Sequence, residues 1–306
     1  MINRTLIRLK VVQMMYAFYM DEGKTTHNAE KELQKSLEKS YNLYFFSLLL
    51  IGAVTEYARR RIEEREEINK AAHINEKLNY RFVENRFVKV LQQNETLCQY
   101  AKENKLTWDG EIPYLKRVYE NIISSDFYDE YMKKDEVGFE DDKELWRTIY
   151  KHIISKDEEY DEVLEEKSLY WNDDRIVVDT FVLKTIKRMT EDGGCNQPME
   201  PDYKDEEDRE YAIGLFRSAI KGGEKYRDMI SENVKNWEFN RLAYMDIVIM
   251  QTAIAEFLNF PNIPASVTIN EYVEIAKWYS TPRSASYVNG VLDTIAKNIK
   301  KDTLTL

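Results

Sequence analysis

Helix breakers are nearly missing from this chain: 10 Gly and 6 Pro stand among 306 residues. A strand-rich protein needs a turn every few residues and spends Gly and Pro on them. What stands in their place is rich in Glu, Lys, Leu, Ala and Met, the residues that favour helix. The predicted fold class is therefore all-α. The length allows one large or two smaller domains with real cores. Breaker-containing segments mark the expected turns at Gly110 with Pro113, at Asp135 to Asp142 and at Asn172-Asp173-Asp174.

Several function classes are disfavoured early. Arg4, Arg8 and Lys10 precede an apolar stretch, but Gln13 interrupts it and no small-residue cleavage site follows, so a signal peptide is not expected. The longest apolar run, Leu43 to Val54, is too short to span a bilayer and reads as a buried helix. Cys98 and Cys195 have no ligand spacing, which suits a reducing cytosol, and His27, His73 and His152 lack metal-ligand spacing as well. Neither Gly193-Gly194 nor Gly222-Gly223 forms a phosphate-loop pattern. The expectation is a cytoplasmic protein, not an enzyme, with no cofactor, no metal and no membrane.

The formal net charge of −11 argues against nucleic-acid binding by the molecule as a whole. Its distribution argues less strongly. Residues 1 to 20 carry Arg4, Arg8 and Lys10 with no acid, hence +3. Residues 277 to 301 carry Lys277, Arg283, Lys297, Lys300 and Lys301 against Asp293, hence +4. With +7 at these two ends, the remainder carries −18 of the total −11. A fold that joins the ends would make one basic face. Charged ends that merely keep helix termini soluble are the alternative.

The first helix is predicted after a cap at Asn3 and runs to about Met20, with Arg4 and Arg8 one turn apart on one side and Lys10 pointing away. From Val11 to Met20 it is apolar almost all round, so that half is expected to be buried and the basic turns to stay at the surface. Gly193-Gly194, Pro198 and Pro201 form the clearest boundary. Beyond it, helices are expected over roughly 206–234, 239–259 and 266–279, and from Ser284 onward, with Thr268 and Glu271 able to form a capping box. An internal repeat is also visible. Trp146-Arg147, Tyr160, Trp171 and Arg175-Ile176 correspond to Phe216-Arg217, Tyr226, Trp237 and Arg241-Leu242. This reads as duplication of a helical hairpin, with coincidental aromatic spacing as the alternative.

The most specific pattern comes last: INEYVEIAK around Asn270, Glu271, Glu274 and Lys277, then a break at Ser280-Thr281-Pro282, then VNGVLD around Asn289, Gly290 and Asp293. With Pro264 shortly before it, and with Trp237, Arg241, Asp246 and Glu256 upstream, this pattern resembles the end of the NusB family. RLKVVQMMYAFYM near the start resembles that family's opening helix. The resemblance implies NusB-like helical bundles formed from residues 1–20 and 203–306. The intervening 21–202 is a large all-helical insertion, with a partial repeat near 145–188. It further implies a transcription antitermination factor acting on ribosomal RNA operons. Expected partners are a boxA-like single-stranded RNA, the ribosomal protein NusE and the RNA polymerase antitermination complex of a bacterial cytoplasm. Carried over by position, the RNA-facing residues are Arg4, Arg8 and Tyr16 on the first helix, with Lys277, Tyr279, Arg283 and Tyr287 around the terminal break. Arg283 at a helix N-terminus is electrostatically disfavoured, which favours a role outside the helix. Asn270, Glu271, Asn289 and Gly290 read as packing and capping positions.

The chain also departs from the family pattern. Thr5 and Leu6 stand where further arginines are usual, Gln251 where Arg is common, and Ser286 where a basic residue is frequent. A helical protein-interaction scaffold with weakened RNA binding is therefore the alternative function. Within the insertion, Arg59-Arg60-Arg61 with Arg65 is the only basic cluster, and its glutamate neighbours favour an ion-pair lattice over a second RNA site.

Overall fold

The computed structural model describes residues 1–21, 23–171, 173–234 and 242–304. Among them are fourteen α-helices and no strand, with one isolated bridge between Ile2 and Tyr203. In order these are α1 (Arg4–Met20), α2 (Thr26–Ala71), α3 (Arg86–Gln92), α4 (Glu95–Asn104), α5 (Ile112–Ile123), α6 (Asp126–Lys133) and α7 (Phe139–His152). They continue as α8 (Glu158–Lys167), α9 (Arg175–Arg188), α10 (Glu206–Lys221), α11 (Gly223–Asn233), α12 (Tyr244–Asn259), α13 (Ala265–Tyr279) and α14 (Ser284–Leu304). No described helix is long and apolar enough to cross a membrane.

The chain divides into two compact units. One holds Met1 and Lys39–Asp202, the other Ile2–Glu38 and Tyr203–Leu306. The division at Asp202 falls just beyond the Gly-Pro boundary. The earlier one falls inside α2 rather than in the loop after Met20, because helical spacing runs without a breaker from Thr26 to Ala71.

The unit formed by residues 39–202 is built on an aromatic core. The Leu43 to Val54 run lies within α2, and Phe46 stacks on Trp108 at 4.3 Å, with Tyr114 and Tyr160 continuing the pile. Two of the three buried indoles find an acceptor, Trp108 Nε1 donating to Phe46 O (2.9 Å) and Trp171 Nε1 to Lys39 O (2.7 Å), whereas Trp146 Nε1 meets none among the described residues. Arg60 and Arg61 pair along α2 with Glu56 and Glu64, whereas Arg65 reaches Glu76 beyond the helix, so this cluster is neutralised by its own unit.

The other unit is centred on α12, whose residues from Asp246 to Glu256 are all buried. A helix apolar on every side must be surrounded, and α1, α10, α11, α13 and α14 all pack on it. The stretch read as one helix over 206–234 is two. The chain bends at Gly222-Gly223, and a Cβ on buried Gly223 would lie 2.8 Å from Tyr19 Oη. The described part of the 239–259 prediction starts at Tyr244, and residues 235–241 lie outside the described residues.

α1 begins where expected, with the Asn3 side chain accepting from Leu6 N at 2.9 Å. Its burial runs opposite to the expectation. Leu6 to Val12 is the deep half, while Met20 is exposed. The α7–α8–α9 and α10–α11–α12 segments share an order in which the first helix packs on the third. Trp146 and Phe216 are both fully buried, as is Tyr160, with Tyr226 nearly so, while Trp237 and Arg241 lie outside the described residues.

Candidate nucleic-acid interface

The cations of α1 are spent inside the unit. Arg8, 3% exposed, places Nε 2.8 Å from Glu256 Oε2 and Nη2 2.9 Å from Oε1, with Glu271 at 3.3 Å from Nη1. The same carboxylate accepts from the hydroxyls of Tyr211, Thr268 (2.7 Å) and Tyr272 (3.2 Å). Five hydrogen bonds therefore converge on one fully buried carboxylate. Burial works against the Arg8 charge, but the fork to Glu256 outweighs it and holds the guanidinium protonated at every working pH. Burial and the Glu256 charge likewise push the Tyr211 and Tyr272 hydroxyls well up, so they stay donors.

This corrects two expectations. Arg8 does not lie on a surface face, and Thr268 and Glu271 do not form a capping box. Instead they turn inward to Glu256 and to Arg8. Lys10 is buried too. Arg4 is half-buried, with Nε at 2.8 Å from Asp208 and Nη2 at 2.6 Å from Glu207, and its guanidinium lies over the Tyr211 ring. No cation of the first helix projects unpaired toward solvent.

Farther along α1 the side chains are half-buried and aromatic. Tyr16 meets Tyr244 edge to face at 5.9 Å, and Tyr19 meets the same ring at 6.3 Å. Arg227 of α11 lies 4.4 Å over Tyr19 and donates to Gln251 Oε1 (3.2 Å) and to Tyr244 Oη (3.1 Å). At Gln251 on α12, where the resemblance led to the expectation of an arginine, a guanidinium arrives from α11 instead. Its position was not legible because Gln251 was read alone, without a partner 24 residues away.

The α13–α14 break is tied down at both ends. Gln13 Nε2 donates to Tyr279 Oη at 2.7 Å, fixing the end of α13 to α1. Ser280 Oγ and Thr281 Oγ1 both meet Ser284 Oγ at 2.9 Å, and Ser284 Oγ donates to the buried Asp246 Oδ2 at 2.8 Å. Burial and Asp246 push the half-buried Tyr287 hydroxyl up, leaving it protonated. Lys277 is exposed and pairs with Glu274, while Arg283 is exposed with no such partner among the described residues. The structure therefore gathers Tyr16, Tyr279, Lys277, Arg283 and Tyr287 in one unit and withdraws Arg8 from any surface.

The motif residues also depart from expectation. Asn270, Asn289 and Gly290 are exposed, and a Cβ on Gly290 would meet nothing within 4 Å. They are neither packed nor capping. Trp278, beside Lys277, is 43% exposed, and the sequence reading passed over it.

Taken together, fold and surface define an all-helical protein with an aromatic, weakly cationic turn held rigid on a helical bundle. The pattern described as the NusB family matches residues 180–297. The protein named transcription antitermination protein NusB of Salinibacter ruber is 38% identical over 120 residues, covering 37% of this chain and 75% of that one. The protein of the same name in Geotalea daltonii is 34% identical over 135 residues, covering 44% and 89%. In Koribacter versatilis it is 41% identical over 95 residues, covering 31% and 65%. A solved structure of T. maritima NusB is 34% identical, covers 38% of this chain and 72% of that one, and superposes with a TM-score of 0.29. The chain belongs to the NusB family.

Proposed function

We propose that this chain is a bacterial cytoplasmic transcription antitermination factor that binds a boxA-like single-stranded RNA together with NusE, as part of the RNA polymerase antitermination complex. It acts by binding and not by catalysis. The observation that carries the reading is the α13–α14 turn, where Lys277, Tyr279, Arg283 and Tyr287 sit on a backbone fixed by the Ser284–Asp246 and Gln13–Tyr279 bonds. Tyr16, edge to face with Tyr244, and Arg4, engaged by Glu207 and Asp208 of α10, complete the proposed set from α1. A rigid platform loses little conformational freedom on binding. Single-stranded RNA suits such a platform, since bases stack on aromatic faces and a few cations meet phosphates.

Few cations are free for this task. Arg283 has no partner among the described residues, and the exposed Lys277–Glu274 pair is weak enough for a phosphate to compete with the carboxylate. With one to two phosphate contacts, log affinity should fall with log salt at a slope of about −0.7 to −1.4. Fluorescence anisotropy with a labelled boxA-containing RNA, with and without NusE, tests the proposal. The expected result is saturable binding with that shallow slope. No binding under either condition would remove it.

The internal pairing of Arg4 and Arg8 favours one second reading, a helical interaction scaffold that keeps the bundle without the RNA. Recovery of NusE by the purified chain, with no RNA binding in the anisotropy assay, would select it.

A further inference from the structure

We infer that Trp278 is a base-stacking residue, clamping one unpaired nucleotide against the α13–α14 turn while Arg283 meets the adjoining phosphate. The inference rests on the RNA-binding reading above and adds a residue and a mode of contact that the family pattern did not point to.

Two features of the side chain point to it. Trp278 is the one aromatic side chain among the large exposed hydrophobic residues described, whereas Trp108, Trp146 and Trp171 are buried. Neither its ring nor its indole N–H makes a stack, a cation–π contact or a hydrogen bond to another described residue. The buried Trp108 and Trp171 show the opposite habit, both packed on Phe46 and each with its indole N–H bonded to a carbonyl. A Trp left nearly half exposed on a helix forgoes part of its apolar burial and leaves its indole N–H without a described partner.

The surroundings identify the occupant. Although the chain holds 55 Asp and Glu, none occurs between Glu274 and Asp293, and that interval contains Lys277 and Arg283. The two acids that bound it are each paired, Glu274 with Lys277 and Asp293 with Lys297. A half-exposed aromatic and a guanidinium with no partner among the described residues, on a turn whose own sequence carries no acid and whose one close carboxylate, Asp246, is buried, complement an aromatic, anionic ligand, which is what a single-stranded nucleic acid is. The turn is also pre-set. Ser280, Thr281 and Ser284 hold it through hydroxyl contacts anchored on Asp246, so Trp278 projects from the last turn of a fixed helix. Base–aromatic stacking tolerates any base and is strongest with large purine faces. The clamp therefore sets affinity and a purine preference rather than a sequence.

The test uses the full chain with labelled oligo(A), oligo(U) and a boxA-containing RNA, in the parent, Trp278→Phe and Trp278→Leu proteins. Anisotropy gives affinity, and intrinsic tryptophan fluorescence reports the ring itself. Expected results are oligo(A) binding tighter than oligo(U), and a loss of about five- to a hundredfold in Trp278→Leu. Trp278→Phe should retain most of the affinity while losing the RNA-induced quenching. Unchanged affinity in Trp278→Leu, or quenching that persists in Trp278→Phe, overturns the clamp while leaving RNA binding standing. A parent that binds no RNA overturns both readings. Weakened NusE binding in Trp278→Leu with unaltered RNA affinity would reassign the residue to a protein contact and likewise overturn the inference.

Discussion

Replacing Arg8 by Met separates a buried structural ion pair from an RNA contact. Arg8 supplies two hydrogen bonds to Glu256 at 2.8 and 2.9 Å and a third contact to Glu271 at 3.3 Å. Without it, a fully buried carboxylate keeps only three hydroxyl donors and loses its counter-ion. Removing one partner of a buried pair costs about 3–5 kcal/mol, much of it for the charge left behind. With a urea dependence of about 2 kcal/mol per molar, the transition of this unit moves down by roughly 2 M. Urea unfolding by circular dichroism, with amide exchange of α1 and α12 to assign the transition, measures this. Glu256→Leu placed on top of Arg8→Met should cost less than the sum of the two single changes, because it removes the orphaned charge. An unchanged transition together with a clear loss of RNA affinity in Arg8→Met would refute the reasoning and return Arg8 to the surface.

Arg283→Ala should leave stability within about 0.5 kcal/mol, since the side chain is exposed with no partner among the described residues, yet reduce the salt slope of RNA binding by about 0.7, read by anisotropy over a salt series. Burial raises the Asp179 carboxyl to about 6, against the hydrogen bond from Tyr150 and the charge of Arg175, from an unfolded value near 4. The folded state then holds the extra proton between these values, so stability of the 39–202 unit falls as pH rises from about 4 to 6 and is flat above, by about 2–3 kcal/mol in all. Asp179→Asn should remove that slope in urea titrations at pH 4.5 and 7. Gly290→Ala should raise the melting temperature through about 0.5–1 kcal/mol of helix stabilisation, because a Cβ there meets open space.

What the sequence revealed followed its local chemistry. Asn3 caps α1 as read, because a cap involves only its own next few residues. The end of α13 and the start of α14 fell at the predicted break because Pro282 and its neighbours forbid continuation. What failed involved partners far along the chain. Arg8 lies 248 residues from Glu256, so spacing alone showed a basic turn and hid the carboxylate that claims it. Thr268 and Glu271 have capping-box spacing, but longer-range bonds outcompete the local one when a buried charge needs donors. At Gly223 a side chain would crowd Tyr19, again distant in sequence. Trp278 was legible in principle. A tryptophan inside an acid-free interval of an acidic chain is a local signal, and it was overlooked beside the more familiar motif letters.

The acidic bulk and the RNA reading are compatible once the range of each force is considered. At physiological ionic strength a charge is screened over about 8 Å, so the −18 carried outside the two basic ends acts on a bound strand only where it comes within that distance. The contacts proposed at the α13–α14 turn would be shorter than that and would depend on what stands there: Arg283, Lys277 and aromatic faces. Lowering the salt strengthens the phosphate contacts, but it also extends the reach of the surrounding acid, and the two changes oppose each other. Stacking, which is short-ranged and uncharged, feels neither. A chain that has turned its first-helix cations inward would thus hold RNA mainly through bases, with phosphate attraction confined to one turn. That division follows from where Arg8 and Glu256 meet as directly as from what lies exposed at Trp278.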